Sequence, residues 1–216
     1  MNLFADGLTF CRPDCYDITM PADIVKIFED YYDSLTEKLE SKRLVAETNH
    51  DRIHNSAIMK LMLDHGGQID MFCGSMSVFR DDFYNDIKRD NPEGSEAEIK
   101  SMLANSLTSF LAKDGSRLRV VQEHSMERLP DDLIVSKSVF ESAMREGKLE
   151  IYSLESNFLW KDMMSHFAIS SVAGMMRMET DKTTHEGMFI ANAEATSKLA
   201  NTTFDKLLEK SELFQA

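Results

Sequence analysis

The chain has 216 residues, of which 43% are hydrophobic and 28% are charged, a composition typical of a globular protein with one well-buried core. Its 37 acidic and 24 basic residues give a net charge of −13, which opposes non-specific binding of nucleic acid. Nucleic acid or a nucleotide could therefore bind only at a local site. No apolar run approaches the roughly 18–20 residues that span a bilayer, and no signal peptide is recognisable, so we expect a cytoplasmic protein without membrane contact.

Hydrophobic periodicity predicts helices that alternate with strands. Residues 1–20 show no sustained period and are predicted to form a loosely structured lead-in or an edge strand. Helices are predicted from Ala22 to about Leu44, from Asn55 or Ser56 to Leu63, from Ser77 to Ile87, from Ser95 to Leu111, from Ser136 to Met144 and from Ala193 to about Phe214. Strands are predicted at Gln68–Cys73, Arg117–Glu123, Lys148–Ser153 and Gly187–Ala191, with two more in residues 165–181 on either side of Gly174.

This alternation predicts an α/β fold with a mixed, mostly parallel sheet flanked by helices on both faces. We expect residues 1–50 to form the lead-in and an amphipathic helix, and residues 51–216 to form the α/β domain. In such sheets ligands bind beyond the carboxyl ends of the strands. Ser75, Glu123 and His124 lie at the carboxyl ends of predicted strands and are therefore candidate substrate-binding residues.

The three cysteines, Cys11, Cys15 and Cys73, are an odd and low number that predicts free thiols. Cys11 and Cys15 lack the second ligand pair of a structural zinc site. The sequence therefore predicts neither a metal centre nor a cofactor.

The predicted hairpin in residues 165–181 carries an imidazole, a guanidinium and a carboxylate. Arg177 and Glu179 are two positions apart, so they share a face and can lie opposite His166 across the hairpin. Arginine can bind a phosphate group through two hydrogen bonds, and glutamate can orient an imidazole nitrogen. The alternatives are a structural role for His166 and a plain salt bridge between Arg177 and Glu179.

Asn192 and Glu194 lie where the last predicted strand gives way to the final helix. Asn192 is a candidate catalytic residue, and Glu194 a candidate substrate-binding residue. Asn192 is also a candidate N-cap of that helix, and Glu194 would then be a first-turn acid favoured by the helix dipole.

The order of these elements, from about His54 to Leu213, resembles the phospholipase D-like superfamily. That family carries the motif H-x-K-x-x-x-x-D, in which the histidine attacks phosphorus, and a later asparagine that, with the lysine, holds phosphate oxygens. His166 corresponds to the histidine and Asn192 to the asparagine, but Ala168 stands at the lysine position and Ala173 at the aspartate position. A single, degenerate motif implies a homodimer, because two motifs must face each other in this family.

Three functions are compatible with this pattern. The first is a degenerate phospholipase D-like protein that acts as a homodimeric binding or regulatory subunit; family-level analogy suggests a bacterial or phage conflict system. The second is a divergent metal-independent nuclease or phosphodiesterase that uses His166. The third is an acidic interaction protein that captures a basic protein partner through its N-terminal helix.

Overall fold

The computed structural model describes residues 23–154, 165–170, 172–181, 186–192 and 194–215, without the side chains of 194–197, 199 and 200. The predicted lead-in, Cys11 and Cys15 lie outside these residues.

The described strands form one sheet. They are β1 (Val45–Asn49), β2 (Gln68–Cys73), β3 (Arg117–Gln122), β4 (Leu149–Leu154), β5 (Phe167–Ser170), β6 (Met175–Asp181), β7 (Glu186–Ala191) and β8 (Ser211–Leu213). Their order across the sheet is β1-β7-β6-β5-β2-β3-β4-β8.

Helices cover both faces of this sheet unequally. They are α1 (Ile24–Glu40), α2 (Arg52–His65), α3 (Asp81–Asp90), α4 (Glu96–Ala112), α5 (Lys137–Arg145) and α6 (Glu194–Leu208). The first five pack on one face, and among the described helices α6 alone covers the other. The predicted α/β fold with helices on both faces is therefore confirmed.

The prediction of a mostly parallel sheet was wrong. Only β2–β3 and β3–β4 are parallel among the described pairings, because helices cross over between these strands. The other five pairings are antiparallel. The strands β5, β6 and β7 follow one another through short connections, which allow only antiparallel neighbours.

Strand β2 shows how the two faces are divided. Ile69, Met71 and Cys73 are buried under the five-helix layer, whereas Phe72 points to the opposite face and packs with Phe204 of α6. Successive side chains of a strand point to opposite faces, so a strand buried on both sides reads as a continuous apolar run. The hydrophobic cores on the two faces of the sheet therefore share strand β2.

Several element boundaries differ from the prediction. The helix predicted to reach Leu44 ends at Glu40, and β1 follows it. The side chain of Asp51 caps α2, which begins at Arg52, earlier than predicted. A short 3-10 helix precedes α3, and α6 ends at Leu208, before strand β8.

Residues 23–50 contribute to the sheet and to the core. Ile24, Phe28 and Leu35 of α1 are buried in the five-helix layer, and β1 pairs with β7. A domain boundary near residue 50 stays a prediction. In the part of the chain that the structure describes, no helix is long and apolar enough to cross a membrane.

Candidate functional site

The hairpin of β5 and β6 positions His166. Ala168 pairs with Arg177, and the backbone N–H of Glu179 donates to the carbonyl of His166 at 2.8 Å. Opposed residues of antiparallel strands extend their side chains from the same face. The predicted contact is accordingly present, with Nδ1 of His166 2.7 Å from Oε2 of Glu179.

A second carboxylate reaches the same imidazole from the end of β3. The backbone N–H of Glu123 donates to the carbonyl of Cys73 at 3.0 Å, which continues the β2–β3 pairing beyond the strand. Oε1 of Glu123 lies 3.2 Å from Nε2 of His166, which is within ion-pair distance, although the two atoms do not form a hydrogen bond. A neutral imidazole carries one N–H, so both contacts are attractive only when the ring is protonated.

Arg177 lies on the same face, opposite Ala168. Its Nε donates to Oδ1 of Asn55 at 2.8 Å, and its guanidinium lies 3.9 Å from Glu179. Asn49 also donates to Oδ1 of Asn55, at 2.6 Å. Burial lowers the pKa of Arg177, and the nearby Glu179 carboxylate only partly opposes this effect. Two asparagines from β1 and α2 thus help to hold the guanidinium in place.

These groups border a cavity of about 280 Å³ between α2, the β2 end and the hairpin. Its polar lining includes His166, Arg177, Glu179, Asn55 and Ser75. Its apolar lining includes Met59, Met71, Phe72, Phe83 and Phe167. Such a mixture of apolar wall and few polar groups is typical of small-ligand sites.

The charge of this cluster is not favourable for a phosphodiester. Arg177 supplies one positive charge, and Glu123 and Glu179 supply two carboxylates around His166. With both acids ionised, the cluster is neutral when His166 is protonated and negative when it is not. An anionic substrate would gain little from such a cluster.

Cys73 also lines the cavity but is not a nucleophile there. Burial raises the pKa of its thiol to about 12, and Glu123 and Glu179 act in the same direction. Its Sγ accepts a hydrogen bond from the backbone N–H of Met76. The thiolate needed for nucleophilic attack is therefore not populated near neutral pH.

The remaining predicted site residues lie in different places. Ser75 lines the cavity, whereas His124 is exposed on the loop after β3. The side-chain amide of Asn192 donates to the carbonyls of Arg43, Leu39 and Lys38, so it ties the end of β7 to the turn between α1 and β1. Asn192 is therefore not brought to the cavity. Glu194 begins α6, but its side chain lies outside the described part.

Sequence reasoning missed Asn49 and Asn55. Both are buried, with Asn49 fully so. An asparagine beside a serine before an apolar run is ordinarily a helix cap, which hid the role of Asn55. Within the described residues, no group of three or more His, Cys, Asp or Glu side chains could hold a metal ion.

No family model and no curated protein matches this chain. Among solved structures, TrmBL2, an archaeal chromatin protein whose structure shows a novel mode of DNA binding, is similar at 14% identity and a TM-score of 0.44, over 88% of this chain and 68% of its own. Nuc from Salmonella typhimurium, a phospholipase D family member, is similar at 11% identity and a TM-score of 0.45, over 81% of this chain and 99% of its own. Similarity at this level is compatible with many functions, so the chemistry of the cavity has to decide between them.

Proposed function

We propose that this chain is a non-catalytic phospholipase D-like protein, a homodimeric binding or regulatory subunit whose ligand pocket is the cavity beside His166. The observation that supports it is the position of His166 between Glu179 and Glu123, at 2.7 Å and 3.2 Å. A nucleophilic imidazole needs an accessible nitrogen lone pair. Nε2 is buried against a carboxylate instead.

The composition of the cluster supports the same proposal. The lysine of the family motif is replaced by Ala168, and the guanidinium opposite it is bound to Asn55. Removing one donor that stabilises a developing charge costs typically about 3–4 kcal/mol of transition-state stabilisation. A role in a bacterial or phage conflict system is part of this proposal and rests on analogy alone.

The first experiment compares the purified chain with His166→Ala in the presence of EDTA. Bis-p-nitrophenyl phosphate, single-stranded DNA and RNA serve as substrates, and sedimentation velocity reports the oligomeric state. We expect no turnover above that of the variant, and a dimer. We also expect the variant to lose about 3–5 kcal/mol of unfolding free energy, because it leaves two buried carboxylates without their shared partner. Cleavage that resists EDTA and disappears with His166 would overturn the non-catalytic proposal, and a monomer would overturn the dimer.

A divergent phosphodiesterase is the second candidate, and one contact favours it. Glu179 contacts Nδ1 of His166. In catalytic histidines, a carboxylate at Nδ1 fixes the orientation of the imidazole so that Nε2 faces the substrate. For this function Glu123 would have to leave Nε2. The EDTA-resistant assay separates the two candidates.

An acidic interaction protein is the third candidate, and the surface of α1 favours it. Glu29, Asp30, Asp33 and Glu37 are all exposed on this helix. A basic partner would be attracted by these carboxylates, mostly through faster association. This surface and the cavity are separate features, so the third function is compatible with either of the others.

A further inference from the structure

Glu123 blocks Nε2 of His166 in the proposed function, and its place in the cluster also indicates which ligands the site accepts. Its carboxylate is only 11% exposed and lies 3.2 Å from Nε2 of His166. Burying a carboxylate is costly unless a cation or donors compensate it. A protonated imidazole would attract an oxyanion at the position beside Nε2, and the carboxylate of Glu123 already occupies that position.

The carboxylate of Glu123 lies next to two residues of the cavity wall, Gly74 and His166. A Cβ built on Gly74 would lie 3.5 Å from Cε1 of His166 and 3.8 Å from Oε2 of Glu123, and Gly74 lines the cavity. Removing the Glu123 carboxylate would vacate the position beside Nε2, next to these two residues of the cavity wall. His166 and Arg177 would then face one carboxylate, that of Glu179, instead of two.

Glu123 lies at the border between strand β3 and an irregular loop. The chain leaves the sheet after Gln122, and residues 123–132 form neither helix nor strand. His124 and Ser125, directly after it, are exposed. A change in this loop can withdraw the carboxylate without breaking a strand.

We infer that Glu123 is an internal competitor for an external oxyanion. Its carboxylate holds the place that a phosphate or carboxylate group of a ligand takes on Nε2 of His166, and ligand binding displaces it. This inference rests on the proposed function of the cavity as a binding site. The ligands of the site would then carry small oxyanionic groups, and Glu123 would exclude such groups until a ligand displaces its carboxylate.

The test is a gain of binding in Glu123→Ala, with inorganic phosphate and formate as probes. Calorimetry measures the affinity for phosphate. The melting temperature, measured at increasing formate concentrations, shows whether formate binds at the position that the Glu123 carboxylate has left. We expect Glu123→Ala to bind phosphate at least about tenfold more tightly than the unsubstituted chain. The phosphate could then form a hydrogen bond with Nε2 of His166 without displacing a carboxylate, and hydrogen bonds to charged groups are stronger than those between neutral groups. Formate should raise the melting temperature of Glu123→Ala and leave that of the unsubstituted chain unchanged.

Three further variants make the result specific. Glu127→Ala removes an exposed acid of the same loop and should bind phosphate like the unsubstituted chain. Glu123→Ala combined with His166→Ala should lose the gain. Glu123→Gln keeps the shape without the charge and should show a smaller gain; it replaces Glu123→Ala in every comparison if the latter does not fold.

The inference is overturned by a folded Glu123 variant that binds phosphate and formate no better than Glu127→Ala. It is also overturned by a gain that survives the loss of His166. Turnover of phosphodiesters by the unsubstituted chain overturns the non-catalytic proposal instead, so the two failures are distinguishable.

Discussion

The imidazole of His166 is held between carboxylates that come from two other strands. His166 directly precedes β5, Glu179 belongs to β6, and Glu123 follows β3. Because a buried charge without its partner is strongly destabilising, the imidazole and the carboxylates on either side of it depend on each other. This mutual dependence is why a substitution of His166 has to be judged by stability as well as by activity.

Gly187 allows the polar groups behind Arg177 to approach β7. A Cβ at this position would lie 2.7 Å from Oδ1 of Asn49 and from the carbonyl of Met178, and 3.2 Å from a guanidinium nitrogen of Arg177. We expect Gly187→Ala to lower the unfolding free energy by about 1–3 kcal/mol, as overpacking does, when measured by urea denaturation.

Gly74→Ala is the matched control for that substitution. Its new Cβ would meet the nearest atom, Cε1 of His166, at 3.5 Å, an ordinary contact. We expect its effect to stay within about 0.5 kcal/mol. Equal effects of the two substitutions would mean that the close approach at Gly187 does not limit packing.

Single residues of the site could be predicted to different degrees. His166, Arg177 and Glu179 were found because alternation along a hairpin decides which side chains share a face. Asn192 was assigned through the family resemblance, which gives order along the chain and not position in space. In the structure Asn192 adopts a φ of 58° and binds carbonyls of the turn after α1.

Elements with a strong apolar period could be predicted, and short edge strands could not. In β1 only Val45 and Asn49 are buried, so its pattern carries little hydrophobic signal. Strand β8 is three residues long and has no buried side chain. Edge strands are stabilised by backbone pairing that a distant strand provides, and such pairing leaves no local trace in the sequence.

Helices α1 and α2 are joined by a polar contact that depends on pH. The hydroxyl of Tyr32 donates to Asp64 at 2.7 Å, and Lys60 also binds this carboxylate. Burial raises the pKa of Asp64, but the hydrogen bonds from Lys60, Tyr32 and Ser106 outweigh it and leave the pKa below its ordinary value of 3.8. Because the folded-state pKa is depressed, the stabilisation is complete above the ordinary value and is lost as the pH falls through the folded-state value.

Asp64→Asn tests this contact. At neutral pH we expect the variant to be less stable than the unsubstituted chain, and we expect the difference to vanish in strongly acidic solution, where the unsubstituted carboxyl is protonated. Thermal unfolding followed at a series of pH values from neutral downwards measures both curves. A difference that does not change with pH would assign the effect to packing of the amide instead.

At the scale of the whole molecule, the net charge of −13 decides which partners can approach. A long-range negative field repels nucleic acid and attracts basic surfaces, and salt screens both effects. The acids of α1 concentrate part of this field on one exposed helix.

The combined variant Glu29→Gln, Asp33→Asn and Glu37→Gln tests whether position or total charge matters. Neutralising the scattered exposed acids Asp114, Glu127 and Glu141 in the same way gives a control with an identical net charge. We expect the α1 variant to bind an oligolysine peptide about threefold to tenfold more weakly than the control in calorimetry at low salt, because exposed ion pairs contribute little each. Equal affinities would mean that α1 is not a preferred surface for a basic partner.

The pairing of β1 with β7 also constrains how the protein is made. Val45 pairs with Ala191, so β1 cannot pair with β7 on the ribosome until most of the chain has been synthesised. Pairings between segments so far apart are slow to form and leave hydrophobic surface open to aggregation during that time. We therefore expect the pairing of β1 with β7 to be a late step in the folding of this chain.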